Sequence, residues 1–176
     1  VWINGHYLGL RPNGYISFRY NLTPYLKFGS GKNEIAVKVD NSHQPNSRWY
    51  SGSGIFRNVW LVKTGDIHID HWGSYITTPE ISDRSATVNL KLKIRSAKGS
   101  GALVDILTSI LDESGKEVAS SAMRFRDLRD SLVNFSPHFT VPDPKLWSVD
   151  RPYLYRAVTK ITVSGKIVDE YTTPFG

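Results

Sequence analysis

Arg48–Val62 reads RWYSGSGIFRNVWLV. It begins as a loop and ends as a strand. Trp49 and Tyr50 come first, then Ser51-Gly52-Ser53-Gly54. The glycines permit a tight backbone path, including positive φ, that other residues resist. From Ile55 the sequence alternates. Ile55, Arg57, Val59 and Leu61 fall on one side, and Phe56, Asn58, Trp60 and Val62 on the other. Both faces are largely apolar, which predicts a strand covered on both sides. Arg57 within it is expected to be buried and paired, because a buried guanidinium must be satisfied. An arginine and two large aromatics ahead of a glycine hinge suggest a loop held out over something.

Upstream of that stretch the pattern is also all β. Asn4-Gly5 is the strongest short hairpin signal and predicts a hairpin over residues 1–9. Ile16, Phe18 and Tyr20 alternate with Ser17, Arg19 and Asn21, which predicts a half-buried strand. Thr23-Pro24 has the pattern of a helix cap followed by proline, so one short helical turn is expected over Pro24–Phe28. Glu34–Asp40 reads as a strand with Ile35, Val37 and Val39 inward. The loop Asn41–Gly54 is long, polar and aromatic, and loops of that length are often functional.

Thr64-Gly65-Asp66 marks a boundary, and a second all-β unit follows. Ile67–His71 and Ser74–Thr78 read as short strands, the second broken by Pro79. Ala86, Val88, Leu90, Leu92 and Ile94 point one way, and Thr87, Asn89, Lys91, Lys93 and Arg95 the other. Ala102–Leu111 and Lys116–Phe125 are expected to form a hairpin around Ser114-Gly115. Alternation continues through Val133–Val141. After Pro142-Asp143-Pro144, Trp147 is expected to plug the core. Tyr155, Ala157, Thr159, Ile161 and Val163 form the inner face of the next strand, and Ser164-Gly165 turns into Lys166–Thr173. About seven short strands with turns every eight to twelve residues fit an immunoglobulin-like sandwich.

Composition narrows the function classes. The 176 residues contain no cysteine, so no disulfide or thiolate chemistry is available. The formal net charge is +6, but Lys and Arg are scattered with no basic run, which reads as a solvated surface rather than a nucleic-acid interface. No segment approaches the roughly 20 apolar residues of a membrane-spanning helix. Val1-Trp2-Ile3 is already strand-like and there is no initiating Met, so the sequence is expected to come from inside a longer one. Open sheet edges in such a piece should seek a partner.

RWYSGSGIFRNVWL resembles the signature at the end of the sugar-binding jelly-roll domain of family-2 glycoside hydrolases, the β-galactosidase and β-glucuronidase family. VWINGHYLG and LTPYLKFGSGKNEIAVKVDN resemble earlier segments of the same domain. DPKLWSVDRPYLYRAVTKI resembles the end of the immunoglobulin-like domain that follows it. The resemblance implies an all-β chain. Residues 1–64 would be the C-terminal part of a partial jelly roll (galactose-binding-like), and residues 65–176 an immunoglobulin-like β-sandwich. It implies a non-catalytic N-terminal region of a probable β-galactosidase, scaffolding a catalytic barrel and shaping its pocket rim. Implied partners are that barrel, a β-galactoside-type carbohydrate through the parent enzyme, and further subunits of a homo-oligomer. Neither nucleic acid nor membrane is expected as a partner, and no compartment is indicated.

The chemistry follows from this. Retaining glycoside hydrolysis needs two carboxyl groups roughly 5 Å apart. In the resembled family these are two glutamates on the barrel, so no catalytic residue is expected here. The acids Asp40, Asp143 and Asp150 sit at turns or strand ends. No cofactor and no metal are expected. His68 and His71 lie three apart in a strand, on opposite sides, and His6, His43 and His138 are isolated. The candidate substrate contacts are Arg48, Trp49 and Tyr50, because sugar C–H faces stack on aromatic rings and a guanidinium can hold hydroxyls. In some family members an acidic residue near this point touches the sugar, whereas Asn46-Ser47-Arg48-Trp49-Tyr50 has none. Packing of Trp49 and Tyr50 against the next domain is the competing reading. A free-standing carbohydrate-binding module and a purely structural interaction domain are the alternatives for the whole chain.

Overall fold

A computed structural model describes residues 1–43, 52–96, 103–126 and 132–176. They form two compact units, Val1–Trp60 and Leu61–Gly176.

The first unit contains a three-stranded sheet of short strands: β1 (Trp2–Ile3), β2 (His6–Tyr7) and β3 (Ile35–Ala36), in the order β2-β1-β3. The Asn4-Gly5 hairpin forms as the sequence predicts. Both residues adopt positive φ, 49° and 83°, as a tight hairpin turn requires. Asn4 is also a polar hub. Its Nδ2 donates to Tyr25 O at 2.8 Å and to Asn33 Oδ1 at 2.9 Å, while its Oδ1 accepts from Glu34 N at 3.0 Å. Asn33 in turn accepts from Lys27 N and donates to Lys27 O. Ile3 is fully buried.

Several predictions about this unit are corrected by the structure. The helical turn is a 3-10 turn at Thr23–Tyr25, and Thr23 lies inside it instead of capping it. Asn21 Oδ1 takes the Thr23 N–H instead. The strand predicted over Glu34–Asp40 is reduced to Ile35–Ala36, and Ile35, Val37 and Val39 are exposed. Neither Ile16–Asn21 nor Ile55–Val62 forms a strand. A strand is stabilised by its neighbours, and alternation alone does not supply one. Ile55, Phe56, Val59, Trp60, Leu61 and Val62 are all exposed, Trp60 by 78 %.

The second unit is a two-sheet sandwich with immunoglobulin-like topology. Its strands are β4 (Ile67–Ile81), β5 (Ser85–Ser96), β6 (Leu103–Leu111), β7 (Glu117–Arg126), β8 (Leu132–Phe135), β9 (His138–Pro142), β10 (Tyr155–Val163) and β11 (Lys166–Phe175). One sheet runs β11-β10-β6-β7. The other runs β4-β5-β8, with β9 also paired to β5. All pairings are antiparallel. The chain makes a hairpin in one sheet, crosses to a hairpin in the other, and then alternates back, which is Greek-key connectivity.

The core lies between the sheets. Val88, Leu90, Leu92 and Ile94 of β5 face Val104, Ile106 and Ile110 of β6 and Ala157 and Ile161 of β10. Each of the Val, Leu and Ile side chains contributes about 1.5–3 kcal/mol through burial. Two hydroxyls enter this layer, Thr108 and Thr159, which sit opposite each other in register. Their oxygens are 2.8 Å apart and satisfy one another, so neither incurs the cost of an unpaired buried hydroxyl.

Three features of this unit differ from the sequence reading. The two short strands expected over Ile67–His71 and Ser74–Thr78 are one strand, β4, interrupted by irregular pairing between Ile69 and Ser74 and again between Thr77 and Glu80. Pro79 falls in the second interruption, where its lack of an N–H costs no ladder bond. Val133–Val141 divides at Ser136-Pro137, yet β8 and β9 keep one register on β5, and Pro137 O still accepts from Leu90 N at 3.1 Å. Trp147 is not a core plug. It is 51 % exposed and lines an open apolar cavity of about 490 Å³ with Leu146, Leu154, Tyr155 and Phe175.

Candidate functional site

Arg48, Trp49 and Tyr50 lie outside the described residues. The structure defines the chain on either side of them. At the entry, Asp40 Oδ1 accepts from Ser42 Oγ at 2.7 Å and from Ser42 N at 3.1 Å, a local turn that fixes the backbone. These bonds hold the Asp40 carboxyl below the usual aspartate range, the side-chain bond more than the backbone one. At the exit, Gly54 takes φ 122°. Phe56 then meets Tyr15 edge-on, ring centroids 6.2 Å apart. Arg57 is exposed rather than buried, and its guanidinium stands 5.4 Å from the Phe56 ring centre. The expectation of a buried Arg57, paired with a carboxylate or carbonyls, fails at the burial, because its segment is not enclosed in a sheet.

Several carboxylates of the second unit are occupied by the fold. Asp70 takes a bidentate bond from Arg95, at 3.1 Å from Nε and 2.9 Å from Nη2. This pairing raises the Arg95 pKa further. Asp105 is paired with Arg124, and the hydrogen bond from Arg124 pulls its carboxyl downward. Asp112 is lowered chiefly by the Ser114 hydroxyl, and Glu117 by hydrogen bonds from Ser109 and Ser120. Asp169 Oδ2 accepts from Ile69 N at 2.8 Å, joining an edge of one sheet to an edge of the other. Ser74 Oγ and Thr173 Oγ1, 2.6 Å apart, make a second such link. Among the described residues Asp40, Asp105, Asp112 and Glu117 all shift down, which favours ionised structural acceptors. A glycosidic general acid needs the opposite shift.

The histidines have separate surroundings. His68 Nδ1 is 2.9 Å from Gly65 O, His138 Nδ1 is 2.6 Å from Asn89 Oδ1, His6 stacks on Tyr25, and His71 stacks on Trp72. Among the described residues no three His, Cys, Asp or Glu side chains converge as a metal site.

The sequence reading missed one exposed aromatic feature, Trp72 on β4. It stands on a bulge, and the only hint in the sequence was the Gly73 that follows it, since an isolated glycine in a strand often marks such a place.

Residues 67–176 match the family model described as Glycosyl hydrolases family 2. The whole chain is 47 % identical over 176 residues to Beta-galactosidase BoGH2A of Bacteroides ovatus, covering 21 % of that protein. It is 31 % identical over 196 residues to a Beta-glucuronidase of Formosa agariphila, again with all of this chain covered and 20 % of the relative. Among solved structures, a glycosyl hydrolase family 2 member from Bacteroides cellulosilyticus superposes with a TM-score of 0.94 at 31 % identity, over 99 % of this chain and 24 % of that one. The chain thus spans about a fifth of the length of the curated relatives it matches. A sandwich that fits such a structure this closely, together with a family match over most of its residues, means that this chain belongs to the glycosyl hydrolases of family 2.

Proposed function

We propose that this chain is a non-catalytic part of a β-galactosidase, in which it supports the catalytic barrel and shapes the rim of the substrate pocket. In this reading residues 1–64 are the C-terminal part of a sugar-binding jelly roll, and residues 65–176 are the immunoglobulin-like domain that links it onward. The observation that carries the reading is the alignment of all 176 residues with 21 % of a β-galactosidase at 47 % identity. The exposed alternation at Ile55–Val62 supports it. These residues have the pattern of a doubly covered strand yet are open to solvent, and contiguous exposed apolar surface marks a place where further polypeptide packs.

In the same reading Arg48, Trp49 and Tyr50 reach the pocket rim, the rings stacking on a sugar face and the guanidinium holding a hydroxyl. The test is steady-state kinetics of the full-length enzyme on an aryl β-galactoside. Trp49→Ala should raise KM about tenfold, the loss of one stacked ring, at roughly 1.4 kcal/mol. With kcat little changed, the lost contact would be one made equally in ground and transition states. An unchanged KM in a folded Trp49→Ala enzyme would assign the ring to packing and remove it from the rim.

A further inference from the structure

We propose that the outer face of the β4-β5-β8 sheet carries a second, non-catalytic binding site for an acidic glycan, centred on Trp72. This goes beyond the pocket-rim role and uses none of its residues.

The backbone is built to present that ring. Between the pairs Ile69↔Ile94 and Ser74↔Leu92, four residues of β4, Asp70–Gly73, stand opposite the single residue Lys93 of β5. Bulges of this kind re-aim side chains. Trp72 sits at its tip with φ 50°, a conformation that is an outlier for a bulky residue and that persists only where the surroundings enforce it. Gly73 enforces it. A Cβ there would lie 2.6 Å from Asp70 O and 2.8 Å from Lys93 O, so the bulge closes tightly on the sheet. Asp70 anchors its near end through Arg95 and through His71 N, which donates to Asp70 Oδ1 at 2.9 Å.

The result is a wall and a floor. Trp72 is 69 % exposed, and its ring stacks on His71 with centroids 4.5 Å apart and planes 26° apart, so it is braced by His71 while much of the residue stays open to solvent. Beside it runs an open cleft of about 470 Å³ lined by Trp72, Gly73, Tyr75, Lys91, Lys93 and Asn134, among others. That volume suits a short saccharide. Tyr75 is directly opposite Lys91, and Lys93 directly opposite Asn134, which sets these four side chains on one face. Two exposed rings offer stacking for sugar C–H faces, and Asn134 offers a donor and an acceptor for hydroxyls.

Charge selects the ligand. Among the described residues neither Lys91 nor Lys93 has an ion-pair partner, and the carboxylate of the bulge, Asp70, is already neutralised by Arg95. The cleft is therefore net positive and complementary to a carboxylate or sulfate on the sugar. An aromatic platform beside two free ammonium groups fits an acidic glycan better than a neutral one.

Calorimetric titration of the intact chain with an oligogalacturonate tetramer, and with a neutral galactan tetramer of the same length, tests this. The acidic tetramer should bind saturably, weaken as salt is raised, and outbind the neutral one by about tenfold. Trp72→Gly suits the local φ, so that variant should melt no lower than the parent chain and lose affinity by about tenfold or more. A Lys91→Gln/Lys93→Gln variant, altered only at exposed positions, should bind both tetramers equally. The proposal is overturned by absence of saturation with the acidic tetramer at millimolar concentration. It is overturned equally by undiminished binding in a folded Trp72→Gly chain, or by lysine variants that keep the preference for acid.

Discussion

Replacing Leu90 by alanine should destabilise the Leu61–Gly176 unit by about 2–5 kcal/mol, the range for truncating a fully buried leucine. Leu90 is 1 % exposed and lies near the middle of β5. β5 is the strand on which one whole sheet is hung. It pairs β4 on one side and both β8 and β9 on the other. Its inner face packs across the sandwich on Val104, Ile106 and Ile110, which are themselves fully buried. Pairing on both flanks holds the β5 backbone in place, so the walls around a deleted isobutyl group have little freedom to collapse, and the cavity term adds to the transfer term. Lys91→Ala, one residue further along on the outer face, should change stability by less than about 0.5 kcal/mol. Urea unfolding checks the contrast. The midpoint should fall for Leu90→Ala with an unchanged slope, and a loss no larger than that of Lys91→Ala would contradict the assigned core.

Gly73→Ala should cost about 1–3 kcal/mol through overpacking, and more if the bulge cannot yield. The cause is space, not torsion. A methyl at Gly73 would meet two backbone carbonyl oxygens, Asp70 O at 2.6 Å and Lys93 O at 2.8 Å. Neither can swing aside as a flexible side chain could. The strand would have to open its four-against-one bulge, and with it the Asp70–Arg95 pair. Gly14→Ala provides the control, since nothing lies within 4 Å of the added Cβ there. In thermal melts Gly73→Ala should lower the transition of the second unit clearly, while Gly14→Ala leaves it in place. An unshifted transition for Gly73→Ala would mean that the bulge is looser than its geometry indicates.

Where a strand is bordered by partners within the chain, its residues state their role plainly. The alternation of Ala86–Ile94 names the buried face of β5, and Asn4-Gly5 and Ser164-Gly165 name their turns, each with two successive positive φ values. Where pairing registers decide, the sequence is silent. Pro79 looks like the end of a strand because proline cannot join a ladder, but a local slip in register lets β4 run past it. Trp72 is exposed because four residues face one, and no count along a single strand reveals that. Ile16–Asn21 and Ile55–Val62 mislead in the opposite direction. Their period of two is real, yet no strand pairs with them among the described residues, and an alternating segment without neighbours stays extended and open. Trp147 shows a further limit: a large aromatic after a proline-rich turn suggested a core plug, whereas it borders an open cavity. Arg48, Trp49 and Tyr50, expected from composition to meet substrate, lie outside the described residues and stand as a proposal for the kinetic test of Trp49.

On the proposed reading this chain supports glycoside hydrolysis without performing it. The most direct test is turnover of an aryl β-galactoside by the pure 176-residue chain, followed by chromogenic release over hours at high protein concentration. No release above the uncatalysed background is expected, since Asp70 and Asp105 are tied up by Arg95 and Arg124 and hydrolysis needs two carboxyl groups free to flank one glycosidic bond. Turnover that co-purifies with the chain and survives a further purification step would contradict it.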